Sequence, residues 1–149
     1  MSRSRKWSRR AAGVVAATLF AGAAAALAQT PTALPLDGET VIGGVGVACT
    51  GIGQTKDQPR WLAYPVRVEF ADPQRNYLAG ETLTLFDPGG GQILSMACEG
   101  PWVLLKLPEA KSYRIEAQVT DPPTAPQHAL VKAPRHGQAR FVLTFPDAH

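Results

Sequence analysis

Residues 64–70 read YPVRVEF, and this stretch decides the fold class. Three apolar side chains at even positions alternate there with the charged Arg67 and Glu69. Successive side chains of a β-strand point to opposite faces, so the pattern predicts a strand with one face in a core and the charged face toward water.

The same alternation recurs along the rest of the chain, with turn-forming residues between the runs. Further strands are predicted at residues 82–86, 93–97, 102–107, 113–119 and 140–145, with a weaker one at 128–132. After the first 28 residues no stretch shows sustained helical spacing, and thirteen prolines suit turns and edge strands. The sequence therefore predicts an all-β fold, a small antiparallel β-sandwich of six or seven strands of the transthyretin or Ig type.

The first 28 residues have the composition of an export signal. Five basic residues lie within the first ten positions, an uncharged apolar run of about 17 residues follows, and Ala26-Leu27-Ala28 has the small-x-small pattern of a cleavage site. We expect a signal peptide over residues 1–28, cleaved after Ala28, and a retained membrane anchor is the alternative. The pair Arg9-Arg10 hints at twin-arginine export, but the residues after it favour the Sec route. The predicted location is the periplasm or the cell exterior.

The net charge of +3 belongs to this leader. The chain has fifteen Lys and Arg against twelve Asp and Glu, and no acid precedes Asp37, so removing the five leader bases leaves a net charge of −2. Without an excess of cations, binding to nucleic acid is not expected. About 121 residues remain, enough for one domain. We predict a flexible Pro-rich lead-in over residues 29–42 and a sandwich domain over residues 43–146.

The sequence contains no strong motif for a cofactor site, a metal site or a catalytic site. The Gly-rich residues 43–53 lack the third glycine and the following helix of a dinucleotide-binding loop. The three histidines are scattered, and no Gly-x-Ser-x-Gly nucleophile motif occurs. We therefore predict no cofactor, no metal and no catalytic residue, and we interpret the glycines as turns and sites of close packing.

The order of several short motifs resembles a known family. A Gly-Pro-Trp step at residues 100–102 is followed by an apolar strand that ends in Leu107-Pro108, a short turn and Tyr113-Arg114-Ile115. The remaining matching segments are residues 43–46, 64–70, 76–79, 87–94 and 137–140. The chain resembles small exported proteobacterial proteins with a carboxypeptidase regulatory-like domain.

The resemblance covers about Gly43 to Phe145 and implies a seven-stranded transthyretin-like sandwich without catalytic residues, of undefined function. Two segments depart from the family pattern, residues 47–53 and 98–100. Each departure contains one of the two cysteines, Cys49 and Cys98.

Cys49 and Cys98 are the candidates for a disulfide, because an even cysteine count in an oxidising compartment favours pairing. Two separate buried thiols are the alternative, and the absence of a Cys-x-x-Cys spacing disfavours a redox pair. The distance between the two residues cannot be derived from the sequence.

Several aromatic side chains are candidates either for the core or for a ligand-stacking face, which Trp61, Tyr64, Tyr77 and Trp102 could form. Trp102 and Tyr113 lie within strand patterns, so we expect them to fill the core. Trp61 and Tyr77 lie beside predicted strand ends, and we expect them to be the more exposed pair and the possible binding aromatics.

Three functional hypotheses follow from these observations. The favoured one is a non-catalytic exported module that binds a protein partner in the cell envelope, by loops or by strand addition at an open sheet edge. The alternative is a small-ligand or glycan-binding module that uses Trp61 and Tyr77. A transthyretin-like hydrolase is disfavoured, because the chain ends in residues 145–149, FPDAH, and lacks the C-terminal Tyr-Arg-Gly-Ser of the hydroxyisourate hydrolases.

Overall fold

The computed structural model describes residues 29–108 and 111–148. The predicted signal peptide, with its cleavage site after Ala28, lies outside these residues. The described chain forms two five-stranded sheets that pack face to face. The ten strands are β1 Thr32–Leu34, β2 Glu39–Ile42, β3 Val45–Thr50, β4 Val66–Ala71, β5 Glu81–Phe86, β6 Gln92–Cys98, β7 Trp102–Lys106, β8 Ser112–Val119, β9 Gln127–Lys132 and β10 Ala139–Thr144.

The first sheet has the strand order β1-β6-β5-β8-β9, and the second has the order β10-β4-β7-β3-β2. Most neighbouring strands are antiparallel, but β1 runs parallel to β6 and β10 runs parallel to β4. Two short 3₁₀ helices, η1 Gln54–Asp57 and η2 Pro59–Ala63, connect β3 to β4. Among the described residues no helix is long and apolar enough to cross a membrane.

The core lies between the sheets and follows the predicted alternation. In β4 the side chains of Val66, Val68 and Phe70 are fully buried in it. The Phe70 ring lies 6.1 Å from that of Phe145, just beyond β10, so residues far apart in sequence close the core together.

The prediction of an all-β sandwich is confirmed, whereas the number and direction of the strands differ from the prediction. The structure has ten strands instead of six or seven, and both sheets are mixed instead of purely antiparallel. The three additional strands are β1, β2 and β3, which come from segments rich in Pro and Gly without regular alternation. Two of them, β1 and β2, lie within residues 29–42, so this segment is not the flexible lead-in that its prolines suggested.

The Gly-rich segment forms a tight turn and a close contact. Gly43 has a φ of 58°, and a Cβ atom there would collide with the backbone carbonyl of Ile93. This position between β2 and β3 therefore requires glycine, as the interpretation of the glycines expected.

The disulfide between Cys49 and Cys98 is present. Cys49 lies in β3 of the second sheet and Cys98 in β6 of the first, so the bond joins the two layers across the core. The backbone N–H of Gly100 also donates a hydrogen bond to the Cys49 sulfur at 3.2 Å.

Candidate functional site

The outer face of the second sheet is partly covered by the segment between β3 and β4. Trp61 and Tyr64 of this segment pack against Ala48 and Leu104 and form a second, small apolar cluster. Trp61 is only 3% exposed, and its indole N–H donates a hydrogen bond of 2.7 Å to the carbonyl of Thr55. The expectation that Trp61 is exposed is wrong, because the sheet carries an apolar patch on its outer face that η2 covers.

Glu69 lies next to this cover, on the outer face of β4, and its side chain is fully buried. One carboxylate oxygen lies 2.9 Å from Arg67 Nε, although the N–H is not aligned with it. The other oxygen accepts hydrogen bonds from Arg140 at 2.6 Å and from the Tyr77 hydroxyl at 3.2 Å. The alternation in β4 predicted that Glu69 faces water, and this is wrong, because three side chains from β4, β10 and the loop after β4 enclose it.

Aromatic rings complete the enclosure of Glu69. Trp102 of β7 is opposite Glu69 in the sheet register, and the Arg67 guanidinium lies 4.4 Å from the centre of its ring. The Tyr77 ring meets the Trp102 ring edge-on, with the centroids 6.0 Å apart. Trp102 is buried as expected, but on the outer face of the sheet, outside the main core that contains Tyr113.

The structure confirms the prediction that Tyr77 is exposed. Its side chain is 49% exposed, although its hydroxyl is bonded to Glu69 and its edge contacts Trp102. A side chain held at both ends loses little conformational entropy when a ligand binds to it. Tyr77 is therefore a preorganised apolar surface at an otherwise polar position.

Tyr77 lies at the edge of a cleft of about 470 Å³. Its principal polar and aromatic lining residues are Glu69, Asp72, Arg75, Tyr77, Arg140 and Thr144, and we call it the Tyr77 cleft. The C-terminal end of β4, the loop after it and β10 thus supply its walls.

The loop after β4 is fixed by Asp72. One carboxylate oxygen accepts the backbone N–H of Asn76 and the other accepts its side-chain amide, each at 2.8 Å. These bonds, led by the one from the Asn76 side chain, lower the pKa of Asp72, so it is a carboxylate at neutral pH. The turn places Arg75 at the cleft with a φ of 71°, in the left-handed region.

A larger depression of about 680 Å³ lies at the other end of β4, next to the Gly43–Gly44 turn and Pro108. Its lining is mainly apolar, and it is more open to solvent than the Tyr77 cleft. Its acidic group, Asp87, accepts the backbone N–H of Gly91 at 2.8 Å and so belongs to a turn. The Tyr77 cleft, where charged and aromatic groups converge, is the better candidate site.

The structure brings only one of the two predicted binding aromatics to this site. Tyr77 lines the Tyr77 cleft, whereas Trp61 lines a smaller depression of about 230 Å³ together with Arg67 and Trp102. Within residues 29–108 and 111–148, no group of three or more His, Cys, Asp or Glu side chains converges as metal ligands.

Sequence reasoning missed Arg140, Arg75 and the burial of Glu69. The only signal was that Trp102 and Leu104 stand at alternate positions of one neighbouring strand, which indicates a second apolar face. Comparison with models of known protein families gives no match, and comparison with curated proteins gives none either. The family resemblance therefore stays a prediction.

Proposed function

We propose that the mature protein is a non-catalytic binding module of the cell envelope, and that the Tyr77 cleft binds a small polar ligand of the glycan type. The observation that carries this proposal is the half-exposed Tyr77 ring, which Glu69 and Trp102 hold at the edge of a cleft of about 470 Å³. Volumes of 300–1,000 Å³ are typical of small-molecule sites.

The chemistry of the cleft suits a polyhydroxylated ligand. A sugar ring has an apolar face that can pack on Tyr77, and its hydroxyl groups can bond the exposed nitrogens of Arg140 and the hydroxyl of Thr144. Because the Arg140–Glu69 pair is already formed, these donors are in place before the ligand arrives.

The sequence and the disulfide support a location in the envelope. Residues 1–28 have the composition of an export signal, and a Cys49–Cys98 bond persists in an oxidising compartment. Sequencing the N-terminus of the exported protein tests this step, with Gln29 as the expected first residue.

A glycan titration followed by tryptophan fluorescence tests the proposed binding. The mature chain contains two tryptophans, and the ring of one of them, Trp102, lies 6.0 Å from the Tyr77 ring, so an occupied cleft should give a saturable change. Tyr77→Ala should abolish the change, whereas Tyr77→Phe, which keeps the ring, should retain most of it.

Leu130→Ala is the matched control for this titration. Leu130 is exposed like Tyr77 but lies in β9 at the edge of the first sheet, and its substitution should leave the titration unchanged. Saturable binding that Tyr77→Ala does not weaken would place the ligand elsewhere and contradict the proposal.

A second candidate function is capture of an envelope protein by strand addition. The observation that favours it is β2, an edge strand of the second sheet whose Val41 side chain is 69% exposed. The free edge of a strand offers backbone donors and acceptors to another chain. A photo-crosslinker at Thr40 in the cell should then capture a discrete partner, and the same crosslinker at Arg135, which is exposed but lies outside the strands, should not.

A further inference from the structure

We propose that the ligand of the Tyr77 cleft carries an anionic oxygen group, a carboxylate or a phosphate on a sugar, and that Arg75 and Arg140 bind this group. This inference rests on the proposed function and names the ligand class of the same site. The inference is based on a difference between the charged groups of the cleft: some of them are exposed to solvent, and the others are buried.

The two acids of the cleft are turned inward. Glu69 is fully buried, with its oxygens directed to Arg67, Arg140 and Tyr77. Asp72 is buried as well, and both of its oxygens accept hydrogen bonds from Asn76. Because Glu69 is enclosed and both oxygens of Asp72 are bonded within the loop, the two acids offer few contacts to a ligand.

The two arginines that line the cleft are exposed to solvent. The Arg140 side chain is 54% exposed, and only one of its nitrogens is bonded to Glu69. A guanidinium has five N–H donors in a planar fork that matches a carboxylate or a phosphate. The donors that remain can therefore bind an anionic group while Arg140 keeps its bond to Glu69.

Arg75 supplies a second positive charge without a role in the fold. It is exposed at the cleft, and it forms no ion pair or side-chain hydrogen bond within the described part of the chain. Its backbone is in the left-handed region with a φ of 71°, which Asn and Gly adopt more easily than Arg.

The summed charge also favours an anion. Arg75 and Arg140 balance Glu69 and Asp72 in the lining of the cleft, and Arg67, which lies behind Glu69, adds one further positive charge nearby, in a protein whose mature chain has a net charge of −2. An anionic group would meet this local excess in a partly enclosed cleft, where screening by salt is weaker than on an open surface.

Calorimetric titration of the mature protein with matched sugars tests the inference. The probes are glucose, glucuronate and glucose 6-phosphate at low ionic strength. We expect at least one of the two acidic sugars to bind about tenfold or more tightly than glucose, since a charge-assisted bidentate contact is of that order. The two acidic probes distinguish a carboxylate ligand from a phosphate ligand.

Arg75→Asn is the decisive variant. Asn tolerates the left-handed backbone, so the loop should keep its structure while the charge is lost. We expect the preference for the acidic sugar over glucose to fall by about threefold or more, with the affinity for glucose unchanged. Arg135→Asn, which removes an exposed charge that does not line the cleft, should leave the preference intact.

The outcomes separate the two proposals. If glucose binds in the cleft as tightly as both acidic sugars, or if Arg75→Asn leaves the preference unchanged, the inference is overturned while the glycan-binding function stands. If none of the sugars binds, or if Tyr77→Ala leaves all binding intact, the proposed function fails and the inference fails with it.

Discussion

Glu81 is a carboxyl group enclosed at one end of the core. It is 1% exposed, it lies in β5 opposite Cys98 and Val119 of the neighbouring strands, and neither oxygen has a hydrogen-bond partner within the described residues. Burial raises the pKa of Glu81 to about 9. The group is therefore protonated at neutral pH, because an unpaired charge in this position would be very unfavourable.

This raised pKa makes stability depend on pH. The folded state holds the Glu81 proton up to a pH of about 9, whereas the unfolded chain releases it above its ordinary pKa of 4.5. The stabilisation is complete below pH 4.5 and is lost as the pH rises toward 9, by up to about 1.4 kcal/mol per pH unit. Glu81→Gln removes this group, so its free energy of unfolding should vary less between pH 5 and pH 9. Urea unfolding across this range measures the two slopes.

Glu99→Gln is the control for this measurement, because Glu99 lies just after β6, near Cys98, but is exposed. This variant should keep the slope of the original protein. A Glu81→Gln variant with the unchanged slope would show that Glu81 is not the titrating group.

Trp61 gives a second prediction for a single residue. Trp61→Phe removes a hydrogen bond of 2.7 Å to Thr55 and leaves part of the pocket under η2 unfilled. We expect a loss of about 1–3 kcal/mol in the free energy of unfolding. Leu62→Ala, at the exposed neighbouring position, should change it by less than about 0.5 kcal/mol. Equal effects of the two substitutions would contradict the buried position of Trp61.

The burial of a residue could be predicted only where all side chains on one face of a strand have the same environment. The alternation at Val66, Val68 and Phe70 correctly indicated the core, because every even position of β4 faces the other sheet. The opposite face is covered in part by η2 and in part by Tyr77. That cover depends on distant segments, so the fates of Glu69 and Trp61 could not be derived from local spacing.

Among the strands, β1 has the weakest signal in the sequence. It has three residues between Pro31 and Pro35, too few to show a period of two. It pairs with β6, with Leu34 beside Cys98, and this contact between segments that are distant in sequence leaves no local pattern. Strands β4 to β10 were predicted because each shows alternation or a continuous apolar run, whereas β3, although it has six residues, lies in the Gly-rich segment and was interpreted as turns and close packing.

Leu34→Ala tests whether β1 belongs to the folded domain. Leu34 is buried in the main core, so its truncation should lower the free energy of unfolding by about 2–4 kcal/mol. Val41→Ala, in the exposed part of β2, should lower it by less than about 0.5 kcal/mol. Chemical unfolding of the two variants makes the comparison. If the Leu34→Ala variant is as stable as the Val41→Ala variant, the result would support the prediction that residues 29–42 are a flexible lead-in.

For the whole molecule, the disulfide is the covalent link between the layers. Replacing both Cys49 and Cys98 by Ala opens a loop of 49 residues in the unfolded chain. The chain-entropy model predicts a loss of about 4 kcal/mol in the free energy of unfolding. Urea unfolding with and without reductant provides the check: reductant should weaken the original protein and leave the variant unaffected. A loss under about 1 kcal/mol would contradict the prediction.

The candidate site is a property of the whole molecule, and the sequence indicated only one of its parts. The exposure of Tyr77 was predicted from its place beside a strand end. Arg140 reaches Glu69 because β10 lies parallel to β4, and a parallel pairing between distant segments leaves no local pattern. The set of residues that line the cleft could therefore not be predicted from the sequence alone.

The parallel pairing of β10 with β4 has a consequence for how the protein is made. The ribosome synthesises β10 after the other nine strands, and until then the second sheet lacks its edge strand and the core lacks Phe145. Such a distant partner delays folding, because a long loop must close before the contact forms. The second sheet should therefore stay incomplete until β10 has been synthesised, so the nascent chain should reach its final fold only after synthesis has passed Phe145.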